Sequence, residues 1–432
     1  MLLLQATNFT TNRLGQRSEN RLIQLLVVAR LDPRVKTARQ IALASLIILT
    51  LLLVFVAGYG TRWLLSHGST ASPQQAGGAP PNFKLFWEAR DILQRDFFGD
   101  QPQDQTLTYG AIKGMTDAYG DPYTRFVEPE PRQREREDLS GVFGGIGAYI
   151  TADEAGNKLL DPMPDRPAEK AGIRKGDILT AVDDKPVTSE MSVDAVVEMI
   201  RGPIGEAVAL TVTRTGVADP LAISVVRERI ETPSVQWRAL EQTPQIGYIA
   251  ISSFTERTAS ELDRAIAELN DLQVKAVVLD LRHNGGGLLE ASIEVASRFL
   301  NDGTVVFERR NNGEEQTYSV RSAKRAPNWP MIILVDNATA SASEIVAGAL
   351  QDRGRATLAG DKTFGKGSVQ LVYDLSDDSS VHVTVAHWIT PNGHEINGVG
   401  LTPEQLVPHE DTRDAPLEEA VKHLIELGAT QN

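Results

Sequence analysis

Residues 41–60, IALASLIILTLLLVFVAGYG, run without a single charge, and a helix of that length extends about 30 Å, the depth of a bilayer core. One transmembrane helix is expected there. Residues 1–40 carry seven Arg or Lys against two acids, so the positive-inside rule makes them a cytoplasmic basic segment and sends everything after residue 60 to the other side. The length of that segment fits an uncleaved anchor better than a cleaved signal. Residues 61–82, with SHGSTASPQQAGGAPPN from 66 on, have the Gly/Pro/Ser/Gln composition of a flexible linker.

The pattern then changes three times. Residues 83–138 have helical spacing, interrupted by a DPYT turn at Asp121 to Thr124, and their charged run at 132–138 reads as a solvated face. Residues 139–231 break into short strands and glycine turns, among them GVFGGIGAYI (141–150), PAEKAGIRKGDILTAVDDKPV (167–187) and EAVALTVTR (206–214), with a helix near 193–201. Between 232 and 408 short apolar runs such as MIILV (331–335) alternate with helical stretches such as 343–351, while 369–373 and VHVTVAHWIT (381–390) read as strands. A tail with a helix, 409–432, closes the chain. The fold class expected is multidomain α+β.

The 432 residues suffice for two or three domains and a sizeable core. The net charge is −14 and residues 1–40 hold +5, which leaves −19 beyond them and argues against nucleic acid as a partner. With no cysteine, disulfides, thiol catalysis and cysteine-ligated zinc are excluded.

The segment DNATASASEIVAGALQDRGRATLAGDKTFGKGSVQ (336–370) carries the candidate chemistry. It sets Ser341 at a strand-to-helix turn and Lys366 between two glycines. Backbone N–H groups at a helix start have no intrahelical partner, so an oxyanion forming beside Ser341 meets donors already in place. Ser341 and Glu344 equally fit a capping box, in which the serine only satisfies helix N–H groups. A lysine base must be neutral; lowering its pKa from about 10.4 to about 7.5 takes about 4 kcal/mol, more than a helix dipole supplies, so burial has to provide most of it. Gln370 faces the same side as Lys366 if the chain is extended between them, and is placed to orient the amine as the third group of a triad. Residues 360–367 nearly match a phosphate-binding loop, but Gly367 stands where a magnesium-holding Ser/Thr belongs and a strand follows where a helix must begin. His283, in the run His283-Asn284-Gly285-Gly286-Gly287, opens a Ser/His/Asp alternative with Asp280 or another acid.

AVVLDLRHNGGGLLEAS (276–292), TASASEIVAGALQDRGRA (339–356) and TFGKGSVQ (363–370) resemble, in order and spacing, the carboxyl-terminal processing (tail-specific) serine proteases, which cut proteins near their C-termini with a Ser/Lys dyad. The resemblance spans residues 83–408. It implies an α/β protease core of the crotonase-like type, Ser341 as nucleophile, Lys366 as base, Gln370 as the residue supporting the lysine, and the N–H groups of Gly287 and Ala342 as oxyanion hole. Asp352 falls on a position linked to activity in some members, although a structural hydrogen-bonding role suits it better here. The glycine loop departs from the Asn-Asn-Pro-Gly-Gly of many relatives.

Residues 139–231 resemble a PDZ domain, in which the loop Gly144-Gly145-Ile146-Gly147 presents N–H groups to a C-terminal carboxylate and the peptide adds as a strand along 146–150. The expected activity is therefore a membrane-anchored serine endopeptidase that reads and cuts apolar protein tails, with neither metal nor organic cofactor. A noncatalytic PDZ scaffold is the rival reading. Self-association occurs in the family, but no interface is legible in the chain.

Overall fold

The computed structural model describes residues 83–321, 325–410 and 412–428. The expected membrane helix, the basic segment before it and the linker lie outside these residues. Among the described residues no helix is long and apolar enough to cross a membrane. One structural unit ends at Gln101 and a second begins at Pro102. In the first, helix α1 (Phe83–Asp96) stacks Phe83 on Phe86 and sets Trp87 edge-on to both, with ring centroids 5.1 to 6.1 Å apart.

The second unit opens with helix α2 (Asp104–Asp117), strand β1 (Arg125–Val127) and helix α3 (Pro129–Ser140). The region expected to be helical thus also contributes a strand. Its three residues are too short a run to declare themselves, and it is pairing with residues 380–382, more than 250 positions away, that makes them one. Helix α3 starts with Pro129 in its first turn and stops at Gly141 with φ 69°. It buries no residue, as its charged sequence predicts.

The next ten elements make the PDZ-like module: β2 (Val142–Gly145), β3 (Ala148–Ala152), β4 (Lys158–Pro162), the single-turn α4 (Pro167–Lys170), β5 (Asp177–Val182), β6 (Lys185–Pro186), α5 (Val193–Ile200), β7 (Ala207–Thr213), β8 (Leu221–Val226) and β9 (Glu228–Glu231). Strands β3-β4-β5-β7-β8 form one antiparallel sheet in that order, around Leu160, Val182, Val196, Val208 and Leu210. Strands β2 and β9 pair with each other, so the chain enters and leaves the module side by side. Strand β3 pairs only with β4, and α5 packs next to it.

The remaining elements are β10 (Val235–Leu240), β11 (Thr243–Ile251), α6 (Thr258–Asp271), β12 (Ala276–Asp280), α7 (Leu289–Phe299), β13 (Thr304–Arg310), β14 (Glu315–Ser319), β15 (Met331–Val335), α8 (Ala342–Asp352), β16 (Thr357–Gly360), β17 (Ser368–Asp374), β18 (Ser380–Ile389), β19 (Gln405–Leu406) and α9 (Ala415–Glu426). Six of the strands form a sheet in the order β10-β11-β12-β15-β16-β19, parallel from β11 onward. Strand β15 throughout, and β12 up to Asp280 at its end, are apolar because helices cover both faces. Val277, Leu279 and Ile333 meet Leu262, Ile293 and Val346 of α6, α7 and α8, while Val278, Ile332 and Leu334 meet Ala420 and Leu424 of α9. A second sheet runs β1-β18-β13-β14, with β17 also on β18. Parallel pairing brings the C-terminal ends of β11, β12, β15 and β16 to one edge, and the loops that leave that edge build the site.

Candidate active site

Ser341 stands between β15 and α8 with φ 58° and ψ −117°, a conformation that non-glycine residues rarely adopt and that concentrates at functional sites. Capping serines usually have extended backbone. Both residues of the capping box are in place here, but around an unusual turn.

What holds the turn is Glu344, a carboxylate with no solvent exposure. Its Oε2 accepts from the Ser341 N–H and from the Lys366 N–H, each at 2.9 Å. Its Oε1 accepts from Gly365 N–H at 2.7 Å and from the Thr363 hydroxyl at 2.6 Å. Burial pushes the Glu344 carboxyl up from its ordinary range, and these four donors pull it back toward the ionised form. One buried side chain thus ties the serine loop to the lysine loop. In sequence Glu344 showed only its capping role; the second set of partners lies about twenty residues downstream, which no local pattern announces.

The glycine loop is fastened to the serine loop as tightly. Asn284, fully buried, donates its side-chain amide to the Ile251 carbonyl (2.7 Å) and accepts the Gly286 N–H on its side-chain oxygen (2.9 Å), while its backbone carbonyl accepts from Ala340 N–H (3.0 Å) and from the Ser343 hydroxyl (2.9 Å). Asp336 accepts from the N–H groups of His283, Ala338 and Thr339 at 2.9 to 3.1 Å. A Cβ on Gly286 would stand 2.8 Å from the Ser341 Cβ, so only glycine lets the two loops meet. Neither Gly287 N–H nor Ala342 N–H, the two expected oxyanion donors, is taken by another described residue. Asn284 and Asp336 went unassigned in the sequence because buried loop polarity looks like ordinary turn composition.

Lys366 lies just before β17 and is partly buried. Burial is the first cause that lowers its pKa, the Arg125 guanidinium the second, and Glu135 opposes both. Its Nζ makes no hydrogen bond to a described residue; it stands 5.2 Å from the centre of the Tyr123 ring. Gly367 is obligatory beside it, since a Cβ there would come within 2.2 Å of the Asn397 N. Gln370 sends its amide to Thr384 Oγ1 at 3.3 Å rather than to the lysine. A register shift between Val369 and Gln370 interrupts the alternation on which a shared face with Lys366 depends.

The remaining candidates sort by their partners. His283 sets Nδ1 2.8 Å from Asp336, with its side chain 84% exposed. It lines a cavity of about 850 Å³ together with Tyr248, Asp280, Arg282 and Asp414, and neither Ser341 nor Lys366 lines that cavity. Asp280 is occupied by the Tyr248 hydroxyl (2.7 Å) and by Arg282. Asp352 accepts the Asn392 N–H at 2.7 Å and lies 3.4 Å from His394 Nδ1. Residues 360–367 run into strand β17, as the failed phosphate-loop match requires. Among the described residues no cluster of His, Asp or Glu is arranged to hold a metal.

In the PDZ-like loop Ile146 is buried and its carbonyl accepts from Ala168 N–H at 2.8 Å; that of Gly147 accepts from Met163 N–H at 2.9 Å. No described residue accepts from the N–H groups of Ile146 and Gly147 themselves. Gly144 accepts a hydrogen bond from Gly202 and has no room for a Cβ, which would stand 2.0 Å from the Gly202 oxygen. Gly145 pairs with Glu228.

The chain also matches known families and proteins. The model of peptidase family S41 matches residues 245–407 and that of the PDZ domain residues 160–214. A carboxy-terminal-processing protease of Bartonella bacilliformis is 38% identical over 311 residues, covering 71% of this chain and 70% of that protein. The carboxy-terminal processing protease CtpA of Bacillus subtilis is 32% identical over 385 residues, 89% of this chain and 81% of its own. Among solved structures, the photosystem II D1 C-terminal processing protease is 32% identical, covers 79% of this chain and 92% of its own, and superposes with a TM-score of 0.46. With catalytic and PDZ segments matched in order and relatives covered over most of their length, the chain belongs to peptidase family S41, as a serine protease of the carboxy-terminal-processing type.

Proposed function

We propose that Ser341 is the nucleophile and Lys366 the general base of a membrane-anchored endopeptidase that cuts near apolar C-terminal tails. The observation that carries this reading is the single Glu344 oxygen that accepts from both backbones at 2.9 Å, which brings a strained serine and a partly buried lysine into one site. Neutral Lys366 takes the Ser341 proton, the alkoxide attacks the peptide carbonyl, and the N–H groups of Gly287 and Ala342 receive the oxyanion. Protonated Lys366 then gives its proton to the leaving amine, and water hydrolyses the acyl-enzyme. Gln370 backs this side of the site through Thr384 and takes no proton. Residues 41–60 anchor the chain, with the catalytic part on the extracytoplasmic side.

Tail cleavage by the full chain in detergent, followed from about pH 6 to about pH 10, tests the dyad. Because the base must be neutral and its pKa is depressed, activity should rise with pH through that depressed value. It should vanish in Ser341→Ala and in Lys366→Ala. Activity that survives Lys366→Ala and disappears in His283→Ala would transfer the base role to the histidine.

Tail capture is assigned to the open edge of β3 beside α5, where Val193 and Val197, one turn apart, are only partly buried. Val197→Glu should raise KM for a tail-bearing protein about tenfold by placing a charge in an apolar groove, and leave hydrolysis of a short untailed peptide unchanged. Equal losses on both substrates would show that the groove does not act as a docking site.

A further inference from the structure

The mechanism above leaves the DPYT turn without a task. It lies in the region before the PDZ-like module, yet the fold delivers it to the proposed base. Asp121 accepts from the Thr124 hydroxyl (2.6 Å) and the Tyr123 N–H (3.3 Å), which closes the turn. Thr124 Oγ1 then accepts from the Thr384 N–H at 3.1 Å, and Thr384 Oγ1 from Gln370 at 3.3 Å. Strand β1 extends the attachment by pairing Arg125, Phe126 and Val127 with His382, Val381 and Ser380. The turn is thereby bonded to the two strands that follow Lys366, and the Tyr123 ring stands 5.2 Å from Nζ.

We propose that Tyr123 is a positioning residue for the base: its ring closes over the Lys366 amine, fixes where the nitrogen sits, and keeps bulk water away from it. The proposal rests on the dyad reading. Nothing else among the described residues holds the amine, because no hydrogen bond to Nζ is made. A ring face offers a neutral amine cover without accepting its proton, whereas a carboxylate in the same place would keep it charged. The charged groups around it are Arg125 on β1, Glu135 on α3 with His382 of β18 against it at 3.3 Å, and Glu344, which binds the lysine backbone. Arg125 and Glu135 pair with each other at 2.7 Å, so much of their influence on the amine cancels and the cover matters more. The ring also attracts an ammonium, which opposes the effect of burial, but burial is the first cause acting on Lys366 and the pKa is lowered on balance. Water exclusion therefore sets the direction.

The test compares pH–rate profiles on one tail-bearing substrate for wild type, Tyr123→Leu, Tyr123→Phe and Lys366→Ala. With Leu, water reaches the amine, its pKa climbs, and the acid limb should move up by about one pH unit. At neutral pH kcat should then fall about tenfold, with KM little changed. With Phe the ring remains, and the limb should stay at the wild-type position. The midpoint of the limb does not depend on how much of a variant is folded, so partial misfolding leaves the result readable. An unmoved limb in Tyr123→Leu, with Lys366→Ala inactive, overturns the role of Tyr123 and spares the dyad. A limb displaced as far by Phe as by Leu overturns the ring-cover account in favour of the hydroxyl. Full activity in Lys366→Ala sinks both readings.

Discussion

Ser341→Gly is expected to abolish hydrolysis and to raise the melting temperature in the same variant. The first effect follows if the hydroxyl is the nucleophile: activity should drop by about 10⁴-fold or more, leaving what binding and the oxyanion donors provide alone. The second follows from the backbone. At φ 58° and ψ −117° a serine is strained by about 1 to 3 kcal/mol, and glycine is not, although glycine loses more chain entropy on folding. The net gain should be about 1 kcal/mol, or about 2 to 4 °C in a catalytic region of this size. Ser341→Ala is the control, since it removes the hydroxyl and keeps the strain, and its melting temperature should stay near that of wild type. Thermal unfolding of the three proteins, with a covalent serine probe to report labelling at residue 341, decides the matter. A glycine variant no more stable than the alanine variant would show that the turn is unstrained and that its geometry says nothing of catalysis.

Glu344→Gln should be far more damaging than so conservative a change suggests. All four partners of the carboxylate are donors, so an amide must turn an NH₂ group toward N–H groups already pointing at it. Leaving such groups unpaired in a site without solvent costs about 3 kcal/mol or more. The loss should be greater for catalysis than for capture. The Ser341 and Lys366 backbones share one oxygen of this side chain, so their loops should drift apart; kcat is expected to fall about 100-fold, the penalty of a misplacement of about 1 Å, with KM for a tailed substrate almost unchanged. Separate kcat and KM values on folded Glu344→Gln check this. A variant with lowered stability but wild-type kcat would reduce Glu344 to a helix cap.

Lys366 illustrates the same opposition between stability and use. Its pKa is depressed in the folded chain, so below the ordinary lysine value the unfolded state binds the proton more readily. Folding stability therefore rises with pH from the depressed value up to about 10.4, and the site is least stable where the amine is charged.

Much of the organisation could be read directly from residue order. The apolar run of β15, the helix after Ser341, the strand after Gly367 and the change to glycine-punctuated strands near residue 139 are all local, because periodicity, turn residues and caps act within a few positions. Even the candidate pair was legible, since a serine at a helix start and a lysine between glycines are short patterns. Three matters were decided only by tertiary structure. Strand β1 exists because β18 offers it an edge. Gln370 bonds Thr384 because a register shift in β17 alters its facing. The site is assembled by Glu344, Asn284 and Asp336, whose partners lie on other loops. A polar residue in a loop carries the same local signal whether it faces water or a buried donor from a distant segment. The difference appears only once parallel strands bring the loop ends to one edge of the sheet, where removal from water makes every unpaired donor costly and each of these hydrogen bonds count.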